Sequence, residues 1–171
     1  MKTVFNNKYV VSFSFDSWKE LSSFVNNQGD VINLVIDESY GDKYYCYVCY
    51  DSLTSEKQFI ISFSSDEKDN NLMFMYWNIK NIFIIYTGKY VNIINFNLEI
   101  LASFDITTPL IGLYLTNENN LLILEEASFR LIKPGGQILK HELFNAIENF
   151  YIKDMKLYIK TDFENKFFLL Q

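Results

Sequence analysis

Short apolar segments recur along this chain at a nearly constant spacing. They begin near residues 44, 82, 121 and 157, so successive starts lie about 38, 39 and 36 residues apart. A period of about 40 residues is typical of one antiparallel blade of a β-propeller. The segments are Tyr44–Val48, Ile82–Tyr86, Leu121–Leu124 and Leu157–Ile159. This spacing predicts a mainly antiparallel all-β fold built from blade-like units.

From residue 43 onward, apolar runs of strand length alternate with turn-forming residues. Asn and Gly favour tight turns because they tolerate a positive φ, and they occur in 87–89, 95–97, 117–120, 134–136 and 162–165. The pattern predicts strands at 43–50, 57–64, 72–78, 81–87, 90–96, 99–105, 111–116, 120–125, 128–133, 137–144, 148–153, 156–161 and 166–170.

The first 42 residues have a different pattern, which predicts a strand, one helix and a second strand. Residues 9–15 and 31–36 have strand character, and Ser17-Trp18-Lys19-Glu20 has the form of a capping box at a helix start. The helix should run from Ser17 to Asn27, before Gly29. Helical spacing places Trp18, Leu21, Phe24 and Val25 on one face. We therefore expect a single domain, with 1–42 as a cap and 43–171 as blades.

The fourth blade-like unit is short, because it spans only the stretch from Lys156 to Leu170. Either the strand at 9–15 completes this unit and closes a small ring, or the blades form an open fan. A helix that covers one end of the fan would protect an exposed sheet, which a closed ring does not need. The sequence therefore favours a partial, open propeller. A β-sandwich is the alternative architecture.

The composition limits the classes of protein to which this chain can belong. The chain is 49% apolar, but its longest apolar runs are far shorter than the roughly 20 residues of a membrane-spanning helix. Polar residues interrupt the N-terminal stretch before a signal peptide forms, so we expect a cytoplasmic protein without membrane contact. Fifteen basic and 21 acidic residues give a net charge of −6, and Arg130 is the one arginine. Both features disfavour nucleic acid as a partner.

Three motifs resemble chemical sites at first sight. Cys46 and Cys49 have CxxC spacing, but residues three apart on a strand point to opposite faces, which predicts neither a metal site nor a disulfide. His141 is the one histidine and has no nucleophile motif around it. The acidic run 66–71 lacks the central Gly and closing Glu of a calcium loop. We expect no enzyme activity and no cofactor, with a hydrolase based on paired carboxylates as a remaining alternative.

The helix that begins with Ser17-Trp18-Lys19-Glu20 and the blade-like units that follow it carry a resemblance to one class of protein. The chain resembles the immunity proteins of bacterial contact-dependent growth inhibition and related polymorphic toxin systems. This resemblance implies binding to one cognate toxin domain, commonly a nuclease, in a 1:1 complex that covers the toxin's active site. A basic nuclease would suit an inhibitor of charge −6.

Acidic turns and nearby tyrosines are the predicted partner-binding residues. They are Asp37, Glu38, Tyr40, Asp42, Tyr44, Asp66, Glu67, Asp69, Glu125 and Glu126. Carboxylates attract a basic partner over a distance, and tyrosines bury a large contact area at low entropic cost. A scaffold or sensor that binds several partners is the second hypothesis, which stable self-association would favour.

Overall fold

The computed structural model describes residues 2–37, 41–68, 71–78 and 81–171. Within these ranges it contains sixteen strands and one helix. They are β1 (Lys2–Phe5), β2 (Lys8–Phe15), α1 (Trp18–Asn26), β3 (Ile32–Val35), β4 (Lys43–Asp51), β5 (Lys57–Ser65), β6 (Met73–Trp77), β7 (Ile82–Tyr86), β8 (Tyr90–Asn95), β9 (Ile100–Asp105), β10 (Leu110–Leu115), β11 (Leu121–Glu125), β12 (Ser128–Ile132), β13 (Ile138–Leu143), β14 (Asn149–Lys153), β15 (Lys156–Lys160) and β16 (Asn165–Leu169). The predicted all-β class with one N-terminal helix is confirmed.

The strands form four separate sheets, which we call blades one to four in chain order. Blade one has the strand order β1-β2-β4-β5-β3, and blades two and three are the meanders β6-β7-β8-β9 and β10-β11-β12-β13. Blade four is the three-stranded meander β14-β15-β16. Consecutive antiparallel hairpins are the construction expected of propeller blades. No strand pairing joins blade one to blade four within the described ranges.

Blade one differs from the others because α1 and β3 are inserted between its second and third antiparallel strands. The edge strand β3 pairs in parallel with β5, whereas every other pairing is antiparallel among the described strands. The strands of the predicted N-terminal cap, β1, β2 and β3, therefore belong to the same sheet as β4 and β5. The insertion also means that the apolar run at 44 lies on β4, whereas those at 82, 121 and 157 mark the second strand of each later blade.

Apolar side chains fill each junction between consecutive blades. Phe59 and Phe83 meet between blades one and two, with ring centroids 5.1 Å apart, and Ile84 and Ile123 belong to the junction of blades two and three. Leu124 and Ile159 belong to the junction of blades three and four. The apolar groups are thus removed from water blade by blade, which is the main stabilising contribution to such a fold.

Helix α1 covers the face of blade one that points away from blade two. Ser17 caps the helix, because its hydroxyl accepts a hydrogen bond from the Glu20 N–H at 3.2 Å. The predicted apolar face of the helix packs on Cys46, Val48 and Ile60 of the sheet. Leu21 is the most deeply buried residue of this face, at 1% exposure. No helix among the described residues has the length and apolar character needed to cross a membrane.

Candidate functional site

An open groove lies where α1 begins, at the ends of three strands of blade one. Its volume is about 750 Å³, and Phe15 and Tyr45 contribute apolar surface to its lining. The charged side chains that line it are Asp16, Glu20, Lys43, Asp66, Glu67 and Lys68. Asp42 lies beside them, and its N–H donates a hydrogen bond of 3.1 Å to Asp66 Oδ1. We call this region the acidic groove.

The acidic groove, with Asp42, holds five carboxylates and two lysines, so it keeps a net negative charge. The ammonium group of Lys43 contacts the Asp16 carboxylate, and this hydrogen bond and charge hold the pKa of Asp16 below its ordinary value. Asp42 and Asp66 are exposed to solvent. Exposed carboxylates in a concave surface attract cationic groups, because field lines converge in a cleft.

The backbone around the groove is fixed by hydrogen bonds that converge on its rim. The Glu20 carboxylate accepts a bond of 3.1 Å from the Asp16 N–H, so Glu20 closes the start of α1. The Tyr45 hydroxyl donates to the Glu67 carbonyl oxygen at 2.8 Å. Such bonds hold the carboxylates in place before any partner arrives, which reduces the entropy lost on binding.

The structure therefore brings three of the predicted contact residues together, namely Asp42, Asp66 and Glu67. Sequence reasoning missed Asp16 and Glu20 as members of the same region. The available signal was the capping box, because Glu20 is its acidic member and Asp16 precedes the capping serine. The motif does not specify which side of the sheet the start of the helix approaches, because that depends on tertiary packing.

Asp37 serves to hold two blades together. Its Oδ2 accepts a bond of 2.5 Å from the Thr87 hydroxyl of blade two, and Asn92 Nδ2 lies 3.5 Å away. The Asp37 carbonyl oxygen accepts bonds from the Ser64 hydroxyl and the Ser64 N–H of blade one. Asp37 is half-buried and does not line the groove, and its carboxylate supports the junction of blades one and two.

Glu125 does not form part of a contact surface, and the expectation of an exposed carboxylate there is wrong. Its side chain is completely buried and forms an ion pair with Arg130. It also accepts bonds from the Ser128 hydroxyl and from the N–H groups of Thr107 and Thr108. Although burial by itself raises the pKa of Glu125, these bonds outweigh it and place the pKa below its ordinary value.

The remaining predicted residues lie in different places. Tyr44 is half-buried and packs against Trp18 with ring centroids 5.9 Å apart, so part of it supports the helix. Glu126 is exposed in the turn between β11 and β12 of blade three, away from the groove lining. Glu38, Tyr40 and Asp69 lie outside the described residues.

Both cysteines are free and buried on opposite faces of β4. Cys46 packs under α1, whereas Cys49 belongs to the junction with blade two. Burial raises the pKa of Cys46 to about 12 and that of Cys49 to about 11. The divergence predicted from strand geometry is confirmed, since the two side chains belong to different packing clusters.

His141 lies on β13 opposite Arg130, and its side chain is exposed. In the part of the chain that the structure describes, no three His, Cys, Asp or Glu side chains are grouped so that they would hold a metal ion. The chemical feature that stands out is therefore the acidic groove, which offers carboxylates and apolar surface to a ligand.

Comparisons with known proteins identify no family for this chain. No protein-family model matches the chain, and no curated protein matches it. Among solved structures, the chain is similar to a protein of unknown function from Bacteroides caccae, with a TM-score of 0.44 and 12% identity over 68% of this chain and 48% of that one. It is also similar to KlHsv2 with loop 6CD replaced by a Gly-Ser linker, with a TM-score of 0.42 and 9% identity over 78% of this chain and 45% of that one. The chain thus spans about half the length of each.

Proposed function

We propose that this chain is an immunity protein that binds one basic toxin domain through the acidic groove and blocks access to the toxin's active site. The observation that carries the proposal is the convergence of Asp16, Glu20, Asp42, Asp66 and Glu67 at one end of blade one. Residues 1–71 hold eleven acidic residues and six lysines, so nearly all of the net charge of −6 belongs to this part of the chain. The fan is thus strongly acidic at the end where the groove lies.

The groove suits a protein partner because it combines charge with apolar surface. Phe15 is half-buried and lies beside the carboxylates, and a bound side chain of Arg or Lys would place its methylene groups on this ring. Exposed charges such as Asp42 and Asp66 speed the encounter with a basic surface, whereas contact with the Phe15 ring slows dissociation. A nuclease toxin carries a basic substrate site, and an acidic inhibitor placed there excludes the polyanionic substrate.

Co-expression tests this proposal in cells. The proposal predicts that a neighbouring gene encodes a large effector. The C-terminal domain of that effector is expressed with the wild-type chain, and growth and pull-down of a 1:1 complex are scored. The double variant Asp42→Lys with Asp66→Lys should lose protection, because it reverses charge at the groove. A matched control is Glu118→Lys with Glu142→Lys in blade three, which changes the net charge equally. Cell death despite full expression of the wild-type protein would overturn the proposal.

A scaffold role is the second candidate, and the uncovered outer face of blade four favours it. Tyr151, Phe167 and Leu169 on that face are at least half exposed. Exposed aromatic side chains in one patch are typical of interaction surfaces. Recovery of several different partners in the pull-down, without protection from a toxin, would support the scaffold in place of the immunity role.

A further inference from the structure

The outer face of blade four is a surface that no described element covers. Alternation along the strands places Leu157, Ile159 and Phe168 on the inner face, where they pack against blade three. The opposite face carries Tyr151, Tyr158 and Phe167 in one row across the three strands. The neighbouring row consists of Lys153, Lys156 and Leu169, and a third row consists of Asn149, Lys160 and Asn165.

The side chains of the aromatic row stack on one another although the row is exposed. The rings of Tyr151 and Tyr158 stack with centroids 4.5 Å apart and planes 9° from parallel. Phe167 continues the row 6.0 Å from Tyr158. Tyr151 is 56% and Phe167 60% exposed. A pre-stacked aromatic platform binds a partner with little loss of side-chain entropy, which is a property of interaction surfaces.

This face is also locally basic in an acidic protein. Its three rows carry Lys153, Lys156 and Lys160 and no carboxylate, since the acidic residues of blade four precede β14 or lie in the turns. Lys160 is paired with Glu148 at 2.7 Å, whereas the Lys156 ammonium lies 5.2 Å from the Phe167 ring centre. Lys153 and Lys156 therefore present positive charge at the edge of the aromatic row.

We infer that the outer face of blade four docks on the acidic groove of a second copy of this chain. The two surfaces have complementary charge, because Lys153 and Lys156 of one copy would meet the exposed carboxylates of Asp42 and Asp66 of the other. Docking of the face on an identical face is disfavoured, since it would bring lysines together. A contact between two different surfaces is head-to-tail, so it leaves one free surface of each kind at the ends of the assembly.

The size of the face sets the strength of this contact. Three strands of five residues span about 10 Å by 17 Å, so the flat area of the face is about 170 Å², well below the roughly 800 Å² that each partner contributes to a standard interface. Self-association should therefore be weak and should increase with protein concentration. It uses the same groove as the proposed toxin contact, so a bound toxin would compete with the second copy.

Sedimentation equilibrium on the chain alone tests this inference without a toxin. The average mass should rise above the monomer mass of 20.2 kDa with concentration, and this rise should shrink between about 50 mM and about 500 mM salt. The variant Lys153→Glu with Lys156→Glu should stay monomeric. Its matched control is Lys89→Glu with Lys133→Glu, because the Lys89 ammonium also lies near a ring, 5.1 Å from the centre of Tyr90.

Mixing two non-associating variants distinguishes a head-to-tail contact from a symmetric one. Two neutralising variants are used for the mixture: Lys153→Ser with Lys156→Ser keeps its groove, and Asp42→Asn with Asp66→Asn keeps its blade-four face, so neither altered surface gains a new charge partner. Each should be monomeric alone, and their mixture should form a 1:1 dimer that grows no further. A wild-type chain that stays monomeric at every concentration, or a mixture that forms no dimer although circular dichroism shows both variants folded, would overturn the inference. These outcomes do not depend on whether a toxin is bound.

Discussion

Blade one and blade four, the first and last sheets in chain order, differ in how their outer faces are covered. Blade one has its outer face covered by α1, and Leu21 of that helix is 1% exposed. Blade four has no cover among the described residues, and Leu169 on its outer face is 50% exposed. The covered end also carries the acidic groove, whereas the uncovered face carries lysines. Helix α1 therefore has a structural role, whereas we propose the uncovered face of blade four as an interaction surface.

The largest loss of stability is expected from breaking the buried ion pair of Glu125 and Arg130 in blade three. Removing the Glu125 carboxylate in Glu125→Ala leaves Arg130 buried without its partner, which should reduce the free energy of unfolding by about 3 to 5 kcal/mol. The same change at Glu148, whose pair with Lys160 in blade four is exposed, should have little measurable effect. Urea denaturation compares the two, and equal losses would contradict the difference in burial.

Acid titration tests the contribution of the Glu125 carboxylate to stability. The folded pKa of Glu125 lies below its ordinary value of 4.5, so its stabilising contribution is complete above that pH and is lost as the pH falls through the folded pKa. The wild-type protein should therefore lose stability on acidification below about pH 4.5 more steeply than Glu125→Gln does. Parallel curves of unfolding free energy against pH for the two proteins would contradict this assignment.

The next largest loss of stability is expected from truncating a leucine under α1, and the same truncation on the uncovered face of blade four serves as its comparison. Leu21→Ala should reduce the free energy of unfolding by about 2 to 5 kcal/mol, because it opens a cavity under α1. Leu169→Ala removes the same atoms from a half-exposed face and should change stability by less than about 1 kcal/mol. Thermal and urea denaturation measure both. A large loss from Leu169→Ala would mean that the blade-four face is covered in solution.

A smaller effect is expected from the helix cap. Ser17→Ala removes the acceptor of the Glu20 N–H and should reduce the free energy of unfolding by about 0.5 to 2 kcal/mol. Ser17→Asn keeps a side-chain acceptor at this position and should retain most of the stability. If Ser17→Ala and Ser17→Asn unfold at the same urea concentration as the wild type, the cap does not contribute to the covered end.

The smallest change concerns the reactivity of the two thiols. Burial holds the pKa of both cysteines far above neutral, so neither should react with a thiol reagent in the native protein. Both should react after denaturation. Leu21→Ala should speed the labelling of Cys46, which lies under α1, more than that of Cys49 on the other face. Faster labelling of Cys49 would show that the helix does not protect its own face of the sheet.

Local patterns predicted most of the strands. The strand β7 was predicted at 81–87 and is Ile82–Tyr86, because an apolar run is bounded there by turn-forming residues. The strand β1 was missed, since Lys2–Phe5 is short and partly polar. Its signal was Asn6-Asn7, where φ values of 40° and 57° form the hairpin turn.

Features that depend on distant residues were harder to predict. The parallel pairing of β3 with β5 joins residues about 27 apart, and no local pattern encodes it. Glu125 had the appearance of a surface turn because Glu126 follows it. Its burial depends on Arg130, the one arginine of the chain, which lies five residues further on across the β11–β12 hairpin. The acidic groove likewise required the approach of α1 to the strand ends of blade one.

The proposal predicts a large effector encoded beside this gene, and calorimetric titration of the C-terminal domain of that effector into this protein tests the central claim most directly. The account predicts a 1:1 complex that weakens with salt, and a dissociation constant at least about tenfold higher for Asp42→Lys with Asp66→Lys. The control Glu118→Lys with Glu142→Lys should bind like the wild type. Equal weakening by both pairs of substitutions, or no binding by the wild-type chain, would contradict the assignment of the acidic groove as the toxin-binding surface.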